Sequence, residues 1–153
     1  ALAAAHGGVT RLRQARRTPL IVVDTSLLVH AVLPGKETAL ALRVAARDAD
    51  WVAPPLWRHE LANVLATWMR VRDLTLADAV DIFSEAERLV VDAELTPSLE
   101  RKLDLAARGK VSACDAEFVA LAQELDLRLV TADRRLAKAF PESVLLVEDF
   151  ADE

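Results

Sequence analysis

The chain has 153 residues, 53% of them hydrophobic and 28% charged, with a net charge of −5. That composition excludes a disordered chain and suits one domain large enough to bury its own core. The single cysteine, Cys114, excludes an internal disulfide and a Cys-rich zinc site.

The charge is unevenly placed. Residues 1–17 carry Arg11, Arg13, Arg16 and Arg17 and no acid. The 15 basic and 24 acidic residues that follow leave a net −9. A body this acidic does not bind nucleic acid by counterion release alone; a nucleic-acid substrate would need bound cations. Residues 1–17 lack periodicity and are expected to be a flexible basic arm, with residues 18–153 forming a single domain. No apolar run approaches the roughly 20 residues of a membrane span. Arg16-Arg17 ahead of Leu20–Val23 superficially resembles a secretion signal, but Asp24 and His30 interrupt the apolar stretch. The expected location is cytoplasmic.

From Leu20 the pattern alternates. Leu20–Val23 is a short apolar, β-branched run, expected as a buried strand. Ser26–Val32 follows as a helix, with Ser26 as its cap, and Pro34-Gly35 stops it. Glu37–Arg47 has helical spacing, Trp51–Ala53 is a second strand, and Leu56–Val71 is a strongly amphipathic helix. Thr75 caps Leu76–Arg88. Leu89–Val91 is a third strand. Thr96-Pro97 reads as a cap and a first-turn proline opening a helix that Gly109 stops near Arg108. Ser112 opens a helix to about Leu125. Leu127–Val130 is a fourth strand, Arg134–Ala139 a short helix, and Val144–Val147 a fifth strand. Strands alternating with helices predict an α/β fold, a three-layer α/β/α sandwich with a mainly parallel five-stranded sheet.

Four carboxylates stand in unusual places. Asp24 directly follows the first strand, where open α/β sheets bind ligands. Glu60 borders the apolar stripe of its helix, with Trp57, Leu61 and Val64 at i−3, i+1 and i+4. Asp115 precedes Phe118, Val119 and Ala122, on the inward side of a first helical turn. Asp133 follows the fourth strand. Each has an ordinary structural explanation: helix caps for Asp24, Asp115 and Asp133, and a salt bridge for Glu60. Together they are more telling, because a right-handed parallel sheet can bring all four to one edge. Carboxylates crowded in one cleft repel each other and raise their pKa values. All-oxygen ligands suit Mg²⁺ or Mn²⁺ rather than zinc or copper, and two such ions suit phosphodiester hydrolysis.

In chain order, Val22-Val23-Asp24-Thr25-Ser26, His59-Glu60-Leu61, Ser112-Ala113-Cys114-Asp115-Ala116 and Leu129-Val130-Thr131-Ala132-Asp133 resemble the PIN domain. The likeness is greatest to the small VapC ribonuclease toxins of prokaryotic toxin–antitoxin pairs, and it covers about residues 20–150. The resemblance implies a Mg²⁺- or Mn²⁺-dependent endoribonuclease with an acidic site at Asp24, Glu60, Asp115 and Asp133. It implies Asp24 and Asp115 as direct metal ligands, Glu60 and Asp133 as ligands directly or through water, and Ser26 and Thr131 as accessory hydroxyls. It further implies a homodimer and a cognate VapB-like antitoxin whose tail occupies the groove. Cys114 stands where the family often has an aromatic, and the basic arm is unusual for it.

Two other functions compete. A phosphotransfer domain acting through an aspartyl phosphate would expect a lysine at a later strand end, where this chain has Asp133. A catalytically silent acidic module would use the four acids only as caps and as contacts to a basic partner. His59 points about 100° away from Glu60 on a helix and reads as a surface residue. Cys114 reads as a small packing residue, Trp68 as packing rather than a base-stacking platform, and Arg134-Arg135 as a solvated helix start.

Overall fold

The computed structural model describes residues 20–152 except 49, 93 and 94; the arm expected at residues 1–17 lies outside them. Five strands pair in the order β3-β2-β1-β4-β5: β1 (Ile21–Val23), β2 (Trp51–Val52), β3 (Val90–Asp92), β4 (Arg128–Thr131) and β5 (Val144–Leu146). Every pairing is parallel. All three β1 residues are buried, as a central parallel strand covered on both faces requires.

The helices are α1 (Thr25–Val32), α2 (Thr38–Arg47), α3 (Leu56–Val71), α4 (Leu76–Leu89), α5 (Leu99–Gly109), α6 (Ala113–Glu124), α7 (Arg134–Ala139) and α8 (Val147–Asp152). They fall into two packed groups: α1 lies against α2, α3 and α4, while α5 packs on α6, which covers β1 and β4. The expected three-layer α/β/α sandwich is therefore present. Its core is dominated by Ile21, Val22, Leu27, Trp51, Trp57, Leu61, Leu121 and Leu129, all fully buried. Trp57 stacks on Phe83 of α4 with ring centroids 5.4 Å apart, which fixes α3 against α4.

Chain order and spatial order together define the functional edge. The chain runs outward from β1 to β2 and β3, then crosses back to place β4 on the other side of β1. Such a reversal leaves a crevice beyond the carboxyl ends of the two strands. Asp24 and Asp133 stand at that crevice.

Several boundaries differ from the sequence expectation. Asp24, not Ser26, caps α1, accepting the Leu27 N–H at 3.0 Å. Ser98, not Thr96, caps α5. The Ser98 N–H donates to Glu124 Oε1 of α6 at 3.1 Å, which holds Ser98 outside the helix. Val147 does not end β5; it starts α8, where Val147 and Phe150 are buried one turn apart. Gly109 does not stop α5 by a left-handed turn, since Lys110 takes that conformation (φ 52°) and Gly109 is the last helical residue. Its role is close approach: a Cβ there would lie 2.3 Å from Phe140 Cζ. Gly109→Ala should therefore destabilise the protein by about 1–3 kcal/mol through overpacking, outweighing the roughly 0.5–1 kcal/mol that alanine gains within a helix. A denaturation midpoint at or above that of the wild type would contradict this account.

Candidate functional site

A cleft of about 540 Å³ opens at the crevice, and all four sequence-identified acids line it: Asp24, Glu60, Asp115 and Asp133. Ser26 lines it too, while Thr131 lies buried beneath it.

Asp24 is the buried centre of the set, 9% exposed. As the first residue beyond β1 it both caps α1 and points out of the sheet edge. Ser26 Oγ donates to its Oδ1 at 2.8 Å, and the Thr131 hydroxyl donates to its Oδ2. Thr131 in turn accepts the Asp133 N–H at 2.9 Å. One hydroxyl at the end of β4 thus ties the ends of the two central strands together. Burial raises the Asp24 pKa above its usual value; the hydrogen bonds from Thr131, Leu27 and Ser26 oppose that, and repulsion from Asp133 adds to it.

Glu60 is half-buried on α3 and receives a hydrogen bond from the Thr25 hydroxyl at its Oε2. No salt bridge to it forms among the described residues, so the bland explanation for its placement does not hold. Burial pushes its pKa up, Thr25 lowers it, and Asp115, Asp24 and Glu117 each raise it by repulsion. Two acids in one cleft are therefore held toward their neutral forms, first by burial and further by repulsion from neighbouring carboxylates.

Asp115 sits in the first turn of α6. Ser112 caps that helix by accepting the Asp115 N–H at 3.0 Å, but the reciprocal half of a capping box is missing. The Asp115 carboxylate makes no hydrogen bond among the described residues. Asp133 differs: its Oδ1 caps α7 by accepting the N–H groups of Arg135 (2.8 Å) and Leu136 (3.3 Å), and its Oδ2 accepts from the Arg135 guanidinium at 3.1 Å. That guanidinium holds the Asp133 pKa below the usual value. Asp133→Ala should cost about 0.5–2 kcal/mol through the lost cap. The stability from the depressed pKa is present above the unfolded value of 3.8 and is lost as pH falls through the folded one. The difference between variant and wild type in urea melts should therefore shrink at low pH; a difference that grows would contradict the assignment.

Other lining residues were not singled out from the sequence. Thr25 lies between the two residues that were, and its partner Glu60 is 35 positions away. His30 stands one turn after Ser26 on α1, and Asn63 one turn after Glu60 on α3; both face the cleft. Their helical spacing from the predicted residues was the available signal. His59 is exposed, as expected. Cys114 is also exposed rather than packed. Trp51 and Trp57 are fully buried and unable to stack on a base. No lysine lines the cleft, which removes the residue that a phosphoaspartate site would expect. A second cavity of about 560 Å³ lies at the amino ends of β4 and β5 and holds none of these acids.

The donors suit a hard divalent cation. They are carboxylate oxygens lining one cleft, and the Asp115 carboxylate accepts no hydrogen bond among the described residues. Among the described residues, no three His, Cys, Asp or Glu side chains form a closed metal cage. Mg²⁺ does not require one, because it keeps several waters and binds through one or two carboxylates together with substrate phosphates.

Comparison with known proteins agrees with the geometry. The chain is 27% identical over 127 residues to Ribonuclease VapC3 of Pyrobaculum aerophilum, a match spanning 81% of this chain and 97% of that protein. Its fold is similar to the crystal structure of PAE2754 from Pyrobaculum aerophilum, with a TM-score of 0.69 at 22% identity, covering 88% of this chain and 95% of that one. The PIN domain family model matches residues 21–140, a span that contains every strand-end and helical acid of the cleft. With most of its length matched and its sheet closing on that cleft, the chain belongs to the PIN domain family.

Proposed function

We propose that this protein is a Mg²⁺- or Mn²⁺-dependent endoribonuclease, the toxin of a VapBC-type toxin–antitoxin pair. The observation that carries this reading is the cleft at the β1/β4 crevice, where Asp24 and Glu60 are both pushed toward protonation by burial and by neighbouring acids. Such a site is costly unless a cation neutralises it. The similarity to a VapC ribonuclease supports the substrate class.

Asp24 and Asp115 would hold the cation directly, with Glu60 and Asp133 joining them directly or through water. A bound divalent cation supplies Lewis-acid stabilisation of the phosphodiester and of its leaving oxygen. The chain's own groups do the orienting. Ser26 and Thr131 fix the Asp24 carboxylate by one hydrogen bond to each oxygen. Thr25 holds Glu60 by Oε2, leaving Oε1 to take a proton from the attacking water. An antitoxin segment bearing basic groups would fit the same acidic cleft and block it. The protein would act in the cytoplasm as a homodimer; among the described residues no helix is long and apolar enough to cross a membrane.

Incubation of purified protein with total RNA tests the reading. Cleavage should require Mg²⁺ or Mn²⁺, stop with EDTA, and disappear in Asp115→Asn, whose carboxylate accepts no hydrogen bond among the described residues and whose loss should leave the melting temperature within about 2 °C of the wild type. Full cleavage in EDTA or in that variant would refute it.

A further inference from the structure

Beside the acidic cleft lies a separate cavity of about 450 Å³, within the roughly 300–1,000 Å³ of small-ligand pockets. His30 lines both cavities, so the two adjoin at that residue. The chain crosses the same boundary at β4: Ala132 and Arg134 line the second cavity, while Asp133 between them lines the cleft. The floor is apolar, formed by Leu27, Ala41 and Val147, all buried. The rim is polar: Arg134 donates to Glu148 Oε1 from its Nη2. This pair is solvent-exposed, with side chains 75% and 37% accessible, so it rearranges at little cost.

An apolar floor next to the cleft proposed to engage phosphate suits an unstacked nucleobase, the form in which single-stranded RNA presents its sequence. The rim selects among bases. A carboxylate accepts two parallel N–H bonds and a guanidinium only donates. Among the four bases, guanine alone offers on one edge an acceptor, O6, beside two donors, N1–H and N2–H. Glu148 matches the two donors and Arg134 the acceptor. We propose that this cavity is a guanine-binding subsite that sets the base next to the cleaved phosphodiester. The proposal rests on the ribonuclease reading for its role in cleavage, but not for its ligand.

Two measurements keep the two apart. In the first, 5′-GMP, AMP, CMP and UMP are titrated separately into the full-length protein without metal and followed by the backbone amide resonances of Ala41 and Val147. GMP alone should shift them in a saturable way, and Glu148→Gln should weaken that binding about tenfold. Equal response to all four nucleotides, or none at those positions, would overturn the subsite whether or not the protein cleaves RNA. In the second, cleavage ends are mapped on a randomised single-stranded RNA pool. The wild type should favour guanine at one fixed position beside the cut, and Glu148→Gln and Arg134→Gln should each lower the ratio of guanine to other bases there about tenfold. An unchanged ratio in both variants would overturn the role in specificity. Absence of any cleavage by the wild type would refute the ribonuclease reading and leave the nucleotide titration to decide the subsite.

Discussion

Asp24→Asn should abolish RNA cleavage, by more than about a hundredfold, and at the same time raise the melting temperature at pH 7. The activity loss exceeds the ten- to hundredfold typical of outer-shell groups, because this carboxylate is the proposed direct ligand. The stability gain follows from linkage. The folded-state pKa of Asp24 lies above the unfolded value of 3.8, chiefly because of burial. Below that unfolded value the group is neutral in both states and costs nothing. As pH rises toward the folded value, the unfolded chain ionises first and stability falls. The amide keeps an acceptor for the Leu27 N–H and gives up the charged contact to Thr131, which the burial cost outweighs. The melting-temperature difference between variant and wild type should thus widen from pH 4 to pH 7, by about 2–4 °C for each kcal/mol relieved. A variant less stable than the wild type across that whole range would refute a charge-burdened site.

Trp57→Ala should have the largest effect on the fold, about 3–5 kcal/mol, or on the order of 10 °C in melting temperature. The indole is fully buried, stacks on Phe83, and lies one turn before Glu60 on the same helix. Its loss frees α3 from α4 and with it the wall that presents Glu60. The contrast is Trp57→Phe. The indole Nε1 has no hydrogen-bond partner among the described residues, so phenylalanine removes an unsatisfied donor while keeping the stack. That variant should stay within about 1.5 kcal/mol of the wild type. Equal losses in the two variants, read by thermal denaturation, would show that ring stacking is not what holds α3.

The elements most legible in the sequence are those whose signal is local. The apolar β-branched run Ile21–Val23 and the amphipathic stripe of Leu56–Val71 appear where expected, because burial on both faces or on one face leaves a direct pattern. The four acids were legible for a related reason: each interrupts or borders such a pattern. What was not legible depends on partners far along the chain. Ser98 and Thr96 are equally good caps by type, and the choice falls to Glu124, 26 residues away. Val147 extends an apolar run as a strand would, yet it turns helical where α8 packs on α2 and Arg43 donates to the Ala151 carbonyl at 3.1 Å. Thr25 was invisible as a site residue because its chemistry is its contact with Glu60. The ordering of Asp133 by Arg135 is likewise a tertiary outcome, since a cap and a cleft acid look identical in sequence.

The bond from Thr131 to Asp24 joins positions 107 residues apart, and it has a consequence for when the cleft comes into being. Ribosomes extend a chain at about 5–20 residues per second. A nascent protein carries Asp24 and Glu60 for several seconds before β4 has been made. Until β4 docks beside β1, Asp24 lacks its Thr131 donor and the crevice has one wall. Long-range parallel pairing is also slow to form once all its parts exist. A stalled or truncated product that ends before Thr131 therefore holds at most three of the four acids and not the cleft, and a complete acidic cleft exists only once synthesis of the domain is nearly finished.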